Sequence, residues 1–215
     1  MTRVVALIDY GSGNLRSAEK ALQRAAAGLA ASPTIVASDD PAVIARADAV
    51  VLPGVGAFQA CRAALMARDG VVEAMEAAVR ARGAPFLGIC VGMQLMATRG
   101  LEFGETPGLG WIAGDVEPLE PAPPRIKVPH VGWNSVVFTP GAPLFGGLSP
   151  GFDAYFTHSY AFRPAEAADV AAWTDHGARL VAAVRRDNLA GVQFHPEKSQ
   201  GAGLALLAGF LEWRP

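Results

Sequence analysis

Short, continuous apolar segments alternate with helical patterns through the first half of the chain. Each apolar segment is long enough for one strand and ends in turn-forming residues, and the segments lie at 3–9, 34–38, 49–53 and 85–89. Apolar residues between them recur at spacings of three and four, which marks one face of a helix. They are Leu15, Ala18, Leu22, Ala25 and Leu29, and then Phe58, Cys61, Leu65, Val72, Met75 and Val79. This alternation predicts a three-layer α/β fold, in which a mostly parallel central sheet has helices on both faces.

The second half of the chain is richer in β-branched and aromatic residues. Strand candidates follow one another closely, at 133–138, 153–162, 170–174, 179–186 and 189–194. Their spacing predicts a smaller, more antiparallel sheet region. A proline-rich stretch at 117–129 predicts an irregular loop, and 203–213 predicts a helix. Because no repeat or sharp change of composition divides the chain, we expect one domain over residues 1–215.

Charge and cysteine content exclude several classes of protein. The formal net charge is −2, so the chain carries no basic footprint for nucleic acid or an anionic membrane. No apolar run approaches the roughly 18 residues of a membrane span, and the N-terminus lacks the pattern of a secretory signal. Two cysteines are too few for a disulfide framework. We expect a cytoplasmic protein, with no nucleic-acid or membrane partner, no metal and no cofactor.

Cys90 lies in the segment Gly88-Ile89-Cys90-Val91-Gly92, at the point where an apolar strand ends and a helical pattern begins. The same layout occurs in nucleophile elbows, where flanking glycines relieve the crowding of a sharp strand-to-helix turn. A thiol at a helix N-terminus also lies at the positive end of the helix dipole. The alternative is a glycine-rich turn with an incidental cysteine. Cys61, on the apolar stripe of a predicted helix, is expected to be a core residue.

A cysteine nucleophile needs a base, and the base needs a group that orients it. His195 follows a predicted strand, and Pro196 favours an extended conformation there, so that His195 and Glu197 can project to the same side. A carboxylate in that position fixes the imidazole tautomer and stabilises its charged form. Alone, His-Pro-Glu is more often a surface turn. His176, in the turn 175–178, is expected to be solvated.

Attack on a carbonyl also requires donors for the developing oxyanion. Gly54, Val55 and Gly56 follow a predicted strand and precede a helix. Glycines free the backbone there, so that N–H groups can point into a crevice beyond the carboxyl ends of the parallel strands. An ordinary tight turn is the alternative.

Together, these segments resemble the class I, triad-type, glutamine amidotransferases. The general motifs are PGVGAF at 53–58, GICVGMQLM at 88–96 and FHPEKS at 194–199. Further segments are similar, within that family, to the glutaminase subunits of imidazole glycerol phosphate synthases of histidine biosynthesis. They are DYGSGNLRS at 9–17, KVPHVGWN at 127–134 and YFTHSY at 155–160. The resemblance therefore extends over most of the chain.

The resemblance implies a flavodoxin-like class I amidotransferase fold and the hydrolysis of glutamine to glutamate and ammonia. In it, Cys90 is the nucleophile, His195 the general base and acid, and Glu197 the orienting carboxylate. The oxyanion hole comes from the backbone N–H groups of Val55 and Val91. The positions that match the family's substrate pocket are Gln94, Glu102, His158, Ser159 and Tyr160.

The resemblance also implies a partner, a cyclase subunit that is a (βα)₈ barrel and forms a heterodimer with this chain. The cyclase uses the ammonia to make imidazole glycerol phosphate and aminoimidazole carboxamide ribonucleotide. The positions that match the partner-facing surface are Asn14, Pro129, His130, Trp133, Tyr155 and Lys198. Judged from the residues alone, Trp133 and Tyr155 are equally compatible with a half-buried strand, and Asn14 and Lys198 with a solvated surface.

Other functions stay open at this point. The same chemistry serves the glutaminase subunit of pyridoxal phosphate synthase, although the segments at 9–17 and 127–134 favour the histidine pathway. A non-catalytic α/β subunit that only binds a partner is disfavoured because all three triad positions are filled. A thiol-dependent hydrolase of another substrate is disfavoured only by Gln94 and Glu102, through the resemblance.

Overall fold

The computed structural model of the protein describes residues 2–12, 14–120, 126–138 and 143–215. Three predicted segments lie partly outside the described residues. They are the turn after the first strand at Gly13, the proline-rich stretch at 121–125 and the turn at 139–142.

Thirteen strands lie in the described part of the chain. They are β1 (Val4–Ile8), β2 (Thr34–Ser38), β3 (Ala49–Gly54), β4 (Phe86–Cys90), β5 (Arg99–Gly100), β6 (Thr106–Pro107), β7 (Gly114–Pro118), β8 (His130–Phe138), β9 (Phe152–His158), β10 (Tyr160–Pro164), β11 (Val170–Asp175), β12 (Arg179–Arg186) and β13 (Leu189–Val192).

Nine of these strands form the central sheet, in the order β2-β1-β3-β4-β13-β12-β11-β8-β9. The pairs from β2 to β13 are parallel, and those from β13 to β9 are antiparallel. A two-residue connection, in which Asp187 has a φ of 50°, folds β13 back along β12. Because β13 is antiparallel to β12 and parallel to β4, it joins the two halves of the sheet.

A second, smaller sheet has the strand order β10-β7-β5-β6. The sequence predicted one strand over 153–162, but Ser159 divides it: β9 pairs with β8 in the central sheet and β10 pairs with β7 in the second sheet. The predicted α/β class, with its parallel strands, helices and smaller second sheet, is confirmed. Most of the predicted antiparallel strands extend the central sheet instead of standing apart from it.

Six α-helices lie in the described residues: α1 (Leu15–Ala27), α2 (Pro41–Arg46), α3 (Phe58–Met66), α4 (Val71–Met75), α5 (Val91–Gln94) and α6 (Gln200–Glu212). The predicted helical stripe from residue 58 to 79 is divided at Gly70, whose φ of 72° is left-handed, and α4 continues as a π-helical segment over Glu76–Ala81. None of the helices in this part of the chain combines the length and apolar character that crossing a membrane requires.

The path of the chain places helices on both faces of the sheet. The chain moves outward from β1 to β2 and returns past β1 to β3, and right-handed crossovers in opposite directions put α1 and α2 on opposite faces. In agreement, α1 packs against α6, whereas α2 packs against α4. β1, β3, β4 and β13 are almost fully buried between these layers, and each Leu, Ile or Phe that they bury contributes about 1.5–3 kcal/mol.

Candidate active site

Three neighbouring parallel strands bring the predicted catalytic segments to one edge of the sheet. Gly54 at the end of β3 is in register with Cys90 at the end of β4. Val192 at the end of β13 is in register with Ile89, so the chain leading to His195 leaves the sheet beside Cys90. Open α/β sheets bind their ligands beyond this carboxyl edge.

Cys90 occupies a sharp turn of the backbone, with a φ of 54° and a ψ of −112°. Such a conformation costs a residue with a side chain on the order of 1–3 kcal/mol. The turn is held by close packing: a Cβ on Gly92 would lie 1.9 Å from the carbonyl oxygen of Leu52, and one on Gly88 would lie 2.6 Å from that of Gly92. The predicted strand-turn-helix elbow is therefore present, and only glycine fits on either side of it.

The helix that follows Cys90 is shorter than the sequence pattern predicted. It ends at Gln94, because the next carbonyl groups bind elsewhere: the N–H of Leu109 donates to the oxygen of Leu95 at 2.7 Å, and the N–H groups of Trp111 and Ile112 donate to that of Met96. A single helical turn has little dipole, so the predicted dipole effect on the thiol is small.

His195 and Glu197 are brought together by an extended residue followed by a 3₁₀ turn over Pro196–Lys198. Nδ1 of His195 lies 2.8 Å from Oε1 of Glu197, and both side chains are almost fully buried. The N–H of His195 donates to the carbonyl of Tyr155. Nε2 of His195 and Oε2 of Glu197 have no hydrogen-bond partner among the described residues. The contact at Nδ1 leaves Nε2 free for chemistry.

Burial and the neighbouring groups change the pKa of His195 in opposite directions. Burial lowers the pKa of His195, but the sulfur of Cys90 and the carboxylate of Glu197 more than offset it and raise the pKa to about 9. The imidazole is therefore protonated at neutral pH, and it places a positive charge beside Cys90.

The backbone carbonyl groups at the end of β3 and in the turn after it contact side chains for which the sequence pattern indicated no such role. The hydroxyl of Ser12 donates to the carbonyl of Val55 at 3.0 Å, and Cys61 Sγ lies 3.5 Å from the same oxygen and 3.1 Å from Ser12 Oγ. The hydroxyl of Tyr10 donates to the carbonyl of Pro53 at 2.7 Å. Cys61 is buried as predicted, but it has polar neighbours.

A cavity of about 280 Å³ lies over these segments. The predicted oxyanion and substrate residues that line it are Val55, Gly56, Val91, Gln94, Glu102, His158, Ser159 and Tyr160, and Cys90, His195 and Pro129 line it as well. Gly54 lies behind the wall, where a Cβ would be 2.7 Å from the backbone nitrogen of Gly92. Thr157 also lines the cavity, although no sequence pattern indicates a role for it.

Two polar side chains of the cavity are held by defined partners. Nε2 of Gln94 donates to the carbonyl of Tyr160 and to Oε1 of Gln193, each at 3.0 Å. Oε2 of Glu102 accepts the N–H of Phe58, the first residue of α3, at 2.6 Å. Both groups are therefore oriented before any ligand binds. Gln193, which is fully buried, was not singled out by the sequence.

His158, which lines the cavity, and His130 belong to a chain of hydrogen bonds. Nδ1 of His158 donates to the carbonyl of Tyr160 at 2.9 Å, so its Nε2 accepts from Nδ1 of His130, also at 2.9 Å. Nε2 of His130 in turn accepts from the amide of Asn134 at 3.0 Å. Burial is the main cause that lowers the pKa of His158 to about 4 and that of His130 to about 3. Both rings are neutral, and their tautomers are set by the Tyr160 carbonyl.

The sequence predicts a solvated His176, but the structure places its ring in contact with other residues. Its ring stacks on that of His130 with centroids 4.1 Å apart, and its Nε2 bonds the carbonyl of Lys127 at 2.8 Å. Local turn chemistry could not indicate this contact, because Lys127 and His130 reach His176 only through the pairing of β8 with β11. Within the described residues, no three His, Cys, Asp or Glu side chains are grouped closely enough to hold a metal ion.

The positions predicted to face a partner do not all lie at the surface. Trp133 is 48% exposed and is in register with Tyr155 on the next strand, with ring centroids 6.0 Å apart. Nζ of Lys198 lies 5.6 Å from the ring centre of Tyr155. Pro129 and Asn14 are exposed. His130 is only 3% exposed, because it lies between Phe156 and His176.

The family to which the chain belongs follows from a family model that matches nearly all of its residues. The family model of class-I glutamine amidotransferases matches residues 6–212. The chain belongs to this family.

Among class-I glutamine amidotransferases, the chain is similar to proteins named imidazole glycerol phosphate synthase subunit HisH. It is 59% identical to that of Caulobacter vibrioides over 213 residues, which are 99% of this chain and 100% of the relative. It is 55% identical to that of Rhodospirillum rubrum over 212 residues, 98% of this chain and 99% of the relative. A crystal structure of a glutamine amidotransferase, 20% identical, matches with a TM-score of 0.68 over 95% of this chain and 98% of its own, which shows the shared fold.

Proposed function

We propose that the chain is the glutaminase subunit of an imidazole glycerol phosphate synthase. It hydrolyses glutamine to glutamate and ammonia on Cys90, as one domain of residues 1–215 in a cytoplasmic heterodimer with the cyclase. The main support for this reaction is that Cys90 and His195 line the same cavity, and that Oε1 of Glu197 lies 2.8 Å from Nδ1 of His195. The pathway rests on the names of relatives that are 52–59% identical over nearly their full length.

The first half of the reaction forms a thioester. The Cys90 thiolate attacks the side-chain carbonyl carbon of glutamine, and the N–H groups of Val55 and Val91 stabilise the oxyanion. Nε2 of the His195 imidazolium then donates its proton to the nitrogen of the leaving group. Ammonia departs as the C–N bond breaks, and the γ-glutamyl thioester remains on Cys90.

The second half releases glutamate. Neutral His195 takes a proton from water, which attacks the thioester carbonyl, and the C–S bond breaks to restore the thiolate. Glu197 keeps Nδ1 of His195 hydrogen-bonded through both halves, so Nε2 always faces the reacting atoms. Glu102 binds the α-ammonium group of glutamine, and Gln94 helps to place the substrate beside the thiol.

The proposed partner surface adjoins the cavity. Pro129 lines the cavity and is itself exposed, and it leads into β8, where Val131 and Trp133 expose apolar side chains. A cyclase bound over β8 would cover the region from which ammonia leaves. We propose that the cyclase is a (βα)₈ barrel.

The test is the release of glutamate from glutamine by the purified chain, with and without the cyclase subunit and the cyclase's nucleotide ligand. We expect Cys90→Ala to abolish glutamate release while it keeps the fold and the affinity for the cyclase, because only the reacting sulfur is lost. Cys61→Ala is the control, which keeps measurable activity because its sulfur does not line the cavity.

Two outcomes would contradict the proposal in different ways. Glutamate production by Cys90→Ala would refute the thioester mechanism. Activity of the unmodified chain that ignores the cyclase and its nucleotide would leave the glutaminase but refute the pathway, and other synthase subunits would then be the partners to test.

A further inference from the structure

Gln193 is a fully buried amide between the end of β13 and the proposed base His195. Its backbone N–H donates to the carbonyl of Ala182 at 2.9 Å, so the position continues the pairing of β13 with β12. A buried polar side chain is costly unless its groups are hydrogen-bonded. An apolar side chain at this buried position would avoid the cost of desolvating an amide, so the presence of glutamine suggests a function for its amide group.

The amide of Gln193 lies between the proposed nucleophile and the proposed substrate-binding glutamine. Nε2 of Gln193 is 3.7 Å from Sγ of Cys90, within the range of a hydrogen bond to sulfur. Oε1 of Gln193 accepts from Nε2 of Gln94 at 3.0 Å. One side chain therefore contacts both groups that define the floor of the cavity.

The carbonyl oxygen of Tyr160 fixes the orientation of the side-chain amides of both Gln94 and Gln193. The carbonyl of Tyr160 can only accept, so the atom of Gln94 that contacts it must be the NH₂ group. That same NH₂ group faces Gln193, which must therefore present its oxygen to Gln94. The NH₂ group of Gln193 is left to face Cys90, and neither amide can be reversed without losing a bond.

The consequence for the thiol is electrostatic. An N–H group aimed at sulfur is a better partner for a thiolate than for a thiol, because a bond to an ionised acceptor is the stronger one. Cys90 is only 4% exposed, and a fixed donor needs no reorganisation when charge develops there.

We propose that Gln193 is a positioning residue of the glutaminase, which donates an N–H to the Cys90 thiolate and holds Gln94 in its binding orientation. This inference rests on the proposed function in one respect, that Cys90 is the nucleophile. The role of Gln193 is then to keep the sulfur ionised and aimed at the cavity in the absence of substrate, and to set the direction of the Gln94 amide.

The experiment measures alkylation of Cys90 by iodoacetamide in the isolated, folded chain from about pH 6 to about pH 10, a range that spans thiol ionisation. The variant is Gln193→Met, which keeps the length of the side chain and removes the donor. We expect Cys90 to be alkylated about tenfold more slowly at neutral pH, the effect of one hydrogen bond to an ionised group. The pH of half-maximal alkylation should rise. Cys61, measured by mass spectrometry in the same samples, is the internal control, and its rate should not change.

A second readout addresses Gln94. With the cyclase present, Gln193→Met should raise the KM for glutamine as well as lower kcat, because Gln94 loses one of its two acceptors. Gln193→Glu keeps the shape and replaces the N–H with a carboxylate oxygen, so it should slow alkylation further, and it serves if the Met variant does not fold. A merely structural role would change the melting temperature and leave the pH profile of Cys90 where it was.

An alkylation profile that superimposes on that of the unmodified chain would overturn the proposal. Alkylation requires neither glutamine nor the cyclase, so it decides the role of Gln193 independently of the pathway. An unmodified chain that yields no glutamate with the cyclase would instead refute the proposed function, whatever the alkylation profiles show.

Discussion

The protonation of His195 is decided by its two neighbours, Cys90 and Glu197. Burial alone would make the imidazole neutral at physiological pH, yet these neighbours raise its pKa to about 9. Because the folded pKa lies above the ordinary value of 6.5, the protonated ring stabilises the fold fully below about pH 6.5. That stabilisation is lost as the pH rises through about 9. The same proton is the one that the proposed mechanism gives to ammonia.

Replacing Glu197 by Gln tests this arrangement. The variant keeps the shape but removes the negative charge, so the pKa of His195 should fall and the alkaline limb of glutamate release should move to lower pH. We expect kcat to fall by about 10²-fold or more, since the imidazole loses its fixed tautomer. The measurement is kcat/KM against pH, with Glu73→Gln on the exposed side of α4 as the control. An alkaline limb at the original pH would show that Glu197 does not act on His195.

At the scale of elements, the turn that carries Glu197 is fixed by its contact with α6. The helix begins at Gln200, and its N-terminal end packs against the 3₁₀ turn over Pro196–Lys198. Gly203 is the point of contact, because a Cβ there would lie 1.9 Å from the carbonyl oxygen of Pro196. A backbone oxygen cannot move out of the way as the end of a side chain could.

We expect Gly203→Ala to push the turn away from α6 and to separate Glu197 from His195. Overpacking of this kind destabilises by about 1–3 kcal/mol, and glutamate release should fall more than stability alone explains. Gly201→Ala, two residues earlier on the same helix, is the matched control, because a Cβ there meets nothing within 4 Å. It should leave stability unchanged or raise it by up to about 1 kcal/mol. Urea unfolding and glutamate assays on both variants make the comparison, and equal behaviour of the two would contradict the packing argument.

At the scale of the whole molecule, exposed apolar side chains gather beside the cavity. Val128, Val131 and Trp133 are each about half exposed and lie just before or within β8. Pro129, which directly precedes β8, lines the cavity. Tyr155 and Lys198 adjoin Trp133 across the sheet. A group of exposed apolar side chains of this kind typically marks an interface, and here it coincides with the proposed cyclase surface.

Trp133→Ala should weaken binding of the cyclase. Loss of a tryptophan at the centre of an interface costs about 2 kcal/mol, which is roughly 30-fold in Kd. The stability of the isolated chain should change little, because the ring is half exposed. Met66→Ala on α3 is the control: Met66 is 50% exposed but lies away from β8. Titration calorimetry gives both affinities, and an unchanged Kd for Trp133→Ala would place the interface elsewhere.

Much of the architecture follows from local patterns of apolar residues and glycines in the sequence. Apolar runs located β1 to β4, and helical spacing indicated α1, α3 and α4 but not α2. Gly88 and Gly92 marked the elbow at Cys90, because only glycine tolerates such close backbone contacts. The contact between His195 and Glu197 is also local, because one extended residue and a short turn bring the two side chains together. Apart from the contact of Gly92 with Leu52 on β3, these features depend on neighbours a few residues away.

Which of these segments meet in space depends on long-range strand pairing. The pairing of β13 with β4 places His195 and Gln193 beside Cys90, although about a hundred residues separate them. Gln193, Ser12, and the chain from Asn134 to Tyr160 gain their partners in the same way. No periodicity marks such residues, because a buried polar group is selected by the donor or acceptor opposite it. That partner comes from a distant strand, whose position is set by packing of the whole core.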